Sequence, residues 1–211
     1  MIRVMIADDH AILRRGLRQI IDETTDIAVV GEAENSAQTL KFVRENPLDV
    51  LLLDISMPDR NGIDTLKLVK KERPKLSVLM LSMHPENQYA VRALRSGASG
   101  YLNKQSAPGQ LVTAIREAAK GRKYVTPAVA EELANNLMPG DEGQPDHRLL
   151  SNREYQTMCL IASGKTLTEI GEQLSLSVKT ISVYRARILE KLQLKSNAEI
   201  THYAIKNQLV E

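Results

Sequence analysis

The sequence predicts an α/β fold for about its first 120 residues, a doubly wound parallel sheet of five strands, joined by a linker to an all-α unit of four short helices. Two patterns carry this. From residue 2 to residue 120, short runs rich in Val, Ile and Leu alternate five times with longer stretches of helical periodicity, as βα units around a sheet covered on both faces do. From Leu149 onward the periodicity is helical throughout, and 211 residues suffice for two small domains.

The strand candidates are Arg3–Ala7, Ala28–Ala33, Val50–Asp54, Ser77–Leu81 and Gly100–Leu102. Helices are expected approximately over 10–23, 36–46, 62–73, 86–96 and 107–120, with Gly62, Gly97 and Gly121 at boundaries and Pro74 stopping the third. After Gly121 a short helix is expected at Pro127–Leu137. The run Met138–Asp146 then has Gly, Pro and acidic residues with no periodic apolar face to bury. The division is therefore 1–121, a linker over 122–147, and 148–211. Three helix starts in the last part carry a hydroxyl residue three positions before a glutamate, the spacing of a capping box: Ser151/Glu154, Thr166/Glu169 and Ser196/Glu199. Ser177 can cap a further helix.

Apolar residues at 43% and charged residues at 26% exclude a disordered chain. A net charge of +2 does not announce nucleic-acid binding by itself, but from Arg148 onward nine basic residues face six acidic ones. The apolar start of the chain is interrupted by Asp8 and Asp9, which fits neither a signal peptide nor a membrane span and predicts a cytoplasmic protein. Cys159, the single cysteine, lies among apolar neighbours and is expected in a core rather than in chemistry.

In an open parallel sheet, ligands bind beyond the carboxyl ends of the strands, where strand order reverses. Asp8 and Asp9 follow the first strand, Asp54 ends the third, Ser82 follows the fourth and Lys104 lies past the fifth. Singly, each is an ordinary helix cap or surface residue; together they converge on one edge. Three carboxylates there repel one another unless a hard, oxygen-ligated cation such as Mg²⁺ neutralises them. A carboxylate beside such a metal can attack a phosphoryl group to form an acyl phosphate, and Asp54 is the best-placed nucleophile. Lys104 offers a compact positive charge to the new phosphoryl oxygens and Ser82 a hydroxyl donor.

In the last part, Thr168–Leu174, a turn at Ser175–Ser177 and a helix over Val178–Leu192 make a helix-turn-helix. Ile181, Ile188 and Leu192 recur at inward-facing spacing, flanked by Leu189 and Tyr184, while Lys179, Ser182, Val183 and Ala186 share another face. Small and basic side chains on that face admit the helix to a DNA major groove, with Arg185 and Arg187 flanking it to reach phosphates. Few aromatics are available to stack on bases, which disfavours a single-strand or RNA reader.

The stretch Val50-Leu-Leu-Leu-Asp54-Ile-Ser-Met-Pro58-Asp-Arg-Asn-Gly62, with Asp8-Asp9 early and Gly100-Tyr-Leu-Asn-Lys104 late, resembles the receiver domain of two-component response regulators over roughly residues 1–120. Leu150-Ser-Asn-Arg-Glu154, Gly164-Lys-Thr-Leu-Thr-Glu-Ile170 and Leu176-Ser-Val-Lys-Thr180-Ile-Ser-Val-Tyr-Arg185 resemble the LuxR-type DNA-binding domain over about 148–211. Together they resemble the NarL/FixJ subfamily of transcription factors. The resemblance implies the flavodoxin-like strand order 2-1-3-4-5 and phosphorylation of Asp54 by a sensor histidine kinase. It implies Mg²⁺ (or Mn²⁺) bound by Asp9 and Asp54, by Asp8 through water and by the backbone carbonyl of Ser56. It also implies a switch of Ser82 and Tyr101 with Lys104. The chain is expected to be no enzyme beyond Mg²⁺-dependent self-phosphorylation from a phosphodonor and self-dephosphorylation.

Ser82 stands where threonine is common in the family, and Ser56 and His84 flank the site where the family varies. On the DNA side the resemblance turns Lys179, Thr180, Ser182, Val183 and Ala186 toward promoter DNA. It makes the last helix, with Ala198, Glu199 and His202, a contact of the homodimer formed on phosphorylation, with RNA polymerase as a further partner. Tyr184 stands where many relatives carry histidine. Two other classes remain open: a metal-dependent phosphohydrolase, marked by turnover of a free phosphoester, and a constitutive DNA-binding or scaffold protein, marked by DNA affinity that ignores phosphate.

Overall fold

The computed structural model describes residues 1–83, 86–105, 108–135, 147–207 and 209–210. The chain divides into two compact units, Met1–Asn135 and Asn136–Glu211. In the first, β1 (Ile2–Ala7), β2 (Ile27–Ala33), β3 (Val50–Asp54), β4 (Ser77–Ser82) and β5 (Gly100–Asn103) form one parallel sheet in the order β2-β1-β3-β4-β5. The chain steps outward from β1 to β2 and then crosses back to β3, so the crevice of the switch point opens between the carboxyl ends of β1 and β3. Helices α1 (Ala11–Asp22), α2 (Ser36–Glu45), α3 (Gly62–Glu72), α4 (Glu86–Arg95) and α5 (Pro108–Ala119) make the returns.

The apolar runs build the core through the two-residue period of a strand. Val4, Ile6, Val50, Leu52, Leu79 and Leu81 share a core cluster with Leu17 and Ile21 of α1 and with Leu111 and Ile115 of α5. Met5, Leu51, Leu53 and Met80, the alternate residues, are fully buried as well. Each such side chain stabilises the fold by about 2 kcal/mol, which is why the central strands tolerate no solvent-facing residue. The observed strands run one residue further than expected at Ile2, Ile27, Ser82 and Asn103, because parallel pairing continues there.

Past α5 the chain stays with the first unit. Tyr124 bridges Gly100 at the edge of β5, its N–H donating to the Ser99 carbonyl at 2.8 Å, and α6 (Pro127–Asn135) packs on α4. The sequence analysis assigns α6 to the linker. Val129, fully buried, and Leu133 one turn later give it an apolar stripe that needs a partner. Residues 136–137 of the expected helix, the run 138–146 and His84 lie outside the described residues.

The second unit holds a single 3₁₀ turn at His147–Leu149, then α7 (Asn152–Ala162), α8 (Leu167–Leu174), α9 (Val178–Leu192) and α10 (Asn197–Lys206). Ser151 and Thr166 form complete capping boxes with Glu154 and Glu169, and Ser177 accepts from the Thr180 N–H. The third expected box is only half formed. Ser196 accepts from the Glu199 N–H, but the Glu199 carboxylate accepts from Lys195 N–H at 2.8 Å instead of from Ser196, because the turn before α10 presents that donor first. Glu154 also takes an ion pair from Lys191 at 2.6 Å, tying the start of α7 to α9. Cys159 is buried, as its neighbours predict. Among the described residues, no helix is long and apolar enough to cross a membrane.

Candidate metal centre and nucleic-acid interface

The acidic cluster forms where β1 and β3 end side by side. Asp8 and Asp54 are fully buried, and Lys104, reaching over from the end of β5, places Nζ 2.6 Å from Asp8 Oδ2 and 3.0 Å from Asp54 Oδ1. The Lys104 N–H donates to the Ser82 carbonyl at 2.7 Å, which sets the lysine's backbone beside the end of β4. Asp9 is partly exposed at the mouth of the cluster. Desolvation by burial pushes the Asp54 carboxyl up to about 6; Lys104 opposes this, Asp8 adds to it, and a hydrogen bond from the Ser56 backbone N–H opposes it again.

Four side chains, Asp8, Asp9, His10 and Asp54, bring ligand atoms within 4.8 Å of one another. Among the described residues, Asp54 Oδ2 and Asp9 Oδ1 are buried with no hydrogen-bond donor, and Asp8 Oδ2 meets Lys104 without hydrogen-bond geometry. Buried carboxylate oxygens left in this state cost energy unless something positive joins them, so the donor set fits a divalent cation with oxygen preference. Ser82, the last residue of β4, and Tyr101, the second residue of β5, are fully buried, and Ser82 follows Leu81, the register partner of Asp54. Ser56 is half-buried.

Three residues that shape this centre escaped the sequence analysis. Arg14 is buried on the inward face of α1; it donates to the Asp8 carbonyl at 2.7 Å and pairs with Glu32 and Glu34, anchoring the loop that carries Asp8 and Asp9. Its signal was a lone charge at the core-facing spacing of Leu17 and Ile21. Asp59 accepts from the Ser36 and Ala37 N–H groups at 3.0 and 3.2 Å, so the loop after β3 is held by the positive end of α2. His10 joins the metal-ligand group, and only its position next to Asp8-Asp9 hinted at this. Gly62 lets α3 start against β3: a Cβ there would lie 1.9 Å from the Asp54 carbonyl oxygen.

In the second unit the turn between α8 and α9 is made by Ser175 in the left-handed region at φ 53°, followed by Leu176 and Ser177. Gly171 lets α8 approach it, since a Cβ would meet the Leu176 carbonyl oxygen at 2.8 Å. On α9, Ile181, Ile188 and Leu192 are buried, whereas Lys179, Ser182, Val183, Ala186 and Arg187 are exposed on the face expected for DNA. Thr180 is half-buried, its hydroxyl 2.8 Å from Ser177 Oγ at the helix cap. Arg185 is half-buried and donates to Asn197 Oδ1 at 2.5 Å, so part of its donor set is engaged in bracing α10. On α10, Ala198 and His202 are exposed with Ile205, a stripe at helical spacing whose last member the sequence analysis missed; Glu199 is half-buried at the cap.

Fold and sites together define a class: transcription regulators in which an α/β receiver unit and a helix-turn-helix unit share one chain. The profile of the response regulator receiver domain matches residues 4–116, and that of the luxR family of bacterial regulatory proteins matches residues 148–204. The chain belongs to the two-component response regulators that carry a LuxR-type DNA-binding domain. It is 36% identical to response regulator UvrY of Escherichia coli K12 over 209 residues, covering 99% of this chain and 96% of that one. Among solved structures it resembles RcsB from Salmonella enterica serovar Typhimurium bound to promoter rprA in the presence of the phosphomimetic BeF₃⁻. The TM-score is 0.65 at 30% identity, over 96% of this chain and 98% of that one. A second RcsB structure, of two dimers bound to two parallel DNAs, matches with a TM-score of 0.59 at 30% identity over 97% and 98% of the two chains.

Proposed function

We propose that Asp54 accepts a phosphoryl group from a sensor histidine kinase, and that the modified chain dimerises and binds promoter DNA through the exposed face of α9. The observation that carries this is Asp54 itself, a fully buried carboxylate at the end of β3 with one oxygen lacking a donor among the described residues and the other 3.0 Å from the Lys104 ammonium. In the transfer, a carboxylate oxygen of Asp54 attacks phosphorus while the bond from phosphorus to the kinase's histidine nitrogen breaks, its electron pair leaving with the imidazole. Attack by water on the same phosphorus later releases inorganic phosphate and restores the carboxylate. Lys104 balances the added negative charge, and the Ser82 hydroxyl donates to a phosphoryl oxygen.

Asp9 and Asp54, Asp8 through water and the Ser56 carbonyl would hold Mg²⁺ or Mn²⁺, which when bound offsets charge on the phosphoryl oxygens. Ser82 and Tyr101, both buried, are the side chains that repack between two states, the phosphoryl group favouring one through contacts present only there. Residues 1–121 act as the receiver and 148–211 as the DNA-binding domain. Lys179, Thr180, Ser182, Val183, Ala186 and Arg187 line the DNA face, with Arg185 bracing it, and Ala198, Glu199 and His202 lie at the dimer contact of α10. The reading places the protein in the cytoplasm with its DNA and with RNA polymerase as a further partner.

The test is intact-mass spectrometry after incubation with Mg²⁺ and a small-molecule phosphodonor, followed by peptide mapping. Gain of one phosphoryl group on the peptide bearing Asp54, absent from Asp54→Asn, is the expected result. Modification elsewhere, or none in the presence of Mg²⁺, contradicts it.

A further inference from the structure

His10 sits at the mouth of the acidic cluster, in contact with two of its carboxylates. Its Nδ1 lies 2.7 Å from Asp9 Oδ1 and 3.2 Å from Asp8 Oδ1. The shorter of these contacts is not a hydrogen bond: Asp9 Oδ1 is buried and has no donor, although the imidazole nitrogen is close enough to be one. The longer contact is a hydrogen bond from Nδ1 to Asp8, whose Oδ1 also accepts from the His10 backbone N–H at 2.8 Å. A nitrogen and a carboxylate oxygen brought to 2.7 Å with no hydrogen bond between them have the spacing of neighbouring ligands of a third atom.

The distance matches that role. An octahedral cation with bonds of about 2.1 Å holds adjacent ligand atoms about 3 Å apart, and the imidazole nitrogen stands 2.7 Å from Asp9 Oδ1. Asp54 Oδ2, in a side chain only 1% exposed, has no donor either and belongs to the same group of ligand atoms. The ring is otherwise 67% exposed, so when a cation binds, Nε2 can carry the proton in water while Nδ1 exchanges its hydrogen bond to Asp8 for the metal.

We propose that His10 is a ligand of the acidic centre through Nδ1, and that it gives the centre a preference for first-row transition cations over Mg²⁺. This rests on the reading of the centre as a divalent-metal site. Imidazole binds Fe²⁺, Co²⁺ and Zn²⁺ well but adds little to Mg²⁺, which favours carboxylate, carbonyl and water oxygens. A site of carboxylates alone distinguishes these ions less sharply than one with a nitrogen ligand.

The test is titration calorimetry of the full chain with Co²⁺ alone and with Mg²⁺ alone, on the wild type, His10→Ala and Asp9→Asn, with proton NMR of the Co²⁺-loaded proteins. His10→Ala should weaken Co²⁺ by about tenfold or more while changing Mg²⁺ by less than about twofold, since oxygen ligands dominate the latter. The wild type should show a hyperfine-shifted imidazole resonance that His10→Ala lacks. Because His10 is exposed, the unchanged Mg²⁺ affinity also reports an intact centre. Equal weakening of both ions, no change in Co²⁺ affinity, or no such resonance overturns the proposal while leaving the metal site standing. If Asp9→Asn leaves both affinities untouched, the metal-site reading falls, and the role of His10 with it.

Discussion

Replacing Asp54 by asparagine should stabilise the first unit in metal-free protein at pH 8, even though it removes one partner of a buried ion pair. Burial, reinforced by Asp8 and opposed by Lys104, raises this carboxyl from its ordinary 3.8 to about 6. A folded-state value above the unfolded one means that the stability held by the protonated form is complete below about pH 4 and is lost as the pH rises through about 6. At about 1.4 kcal/mol per pH unit between the two values, ionising Asp54 costs the fold about 3 kcal/mol by pH 8. Asparagine removes that cost but leaves Lys104 with Asp8 alone, 2.6 Å away, so the net gain should fall between about 1 and 3 kcal/mol.

Urea unfolding followed by circular dichroism, with a chelator present, measures the difference between wild type and Asp54→Asn at pH 8 and at pH 3.5. The variant should be more stable at pH 8 by the stated margin, and the gap should close toward pH 3.5, where the carboxyl is protonated in the folded and largely in the unfolded chain. An Asp54→Asn protein less stable than wild type at pH 8, or a gap that ignores pH, would refute the reasoning.

The Arg3 guanidinium grips Asp49 through two hydrogen bonds of 3.0 and 2.8 Å and holds its carboxyl down to about 2. The stability from this pair is present above about pH 4 and is lost as the pH falls toward 2. Both groups are about one-third or more exposed, so Asp49→Asn should cost only about 1 kcal/mol at pH 7, a loss that shrinks below pH 4 in acid titrations of stability. Gly62→Ala drives a methyl into the Asp54 carbonyl, 1.9 Å from where its Cβ would sit, and should destabilise the first unit by about 3 kcal/mol in the same unfolding assay; a loss below about 0.5 kcal/mol would contradict the packing described. Arg187→Ala, on the exposed face of α9, should weaken DNA binding without changing sequence preference and lower the slope of log affinity against log salt by about 1.

How much of this was legible in the sequence depends on the range of the interaction. The five strands and the convergence of Asp8, Asp54 and Lys104 followed from runs of Val, Ile and Leu that end in polar residues, since period and topology place strand ends together. The caps at Ser151, Thr166 and Ser177 are local and were read correctly. The roles of Arg14 and Asp59 were not legible, because their partners lie on other elements, Glu32 of β2 for one and the start of α2 for the other. Glu199 had two backbone donors within reach, and only the turn geometry chose Lys195 over Ser196. The place of α6 was missed for a related reason: Val129 and Leu133 form too short an apolar stripe to announce which surface would cover it. Arg185 was counted as a phosphate contact because helical spacing shows which way a side chain faces but not that Asn197 waits beside it.

The central claim is that chemistry at Asp54 governs DNA binding by the exposed face of α9. The most direct measurement is fluorescence anisotropy of labelled promoter fragments titrated with the full chain and with Asp54→Asn, with and without Mg²⁺ and a small-molecule phosphodonor. The account predicts that the donor raises affinity and shifts the species bound toward a dimer for the wild type alone, and only with Mg²⁺ present. Equal binding by both proteins in every condition would leave the helix-turn-helix standing and contradict the switch.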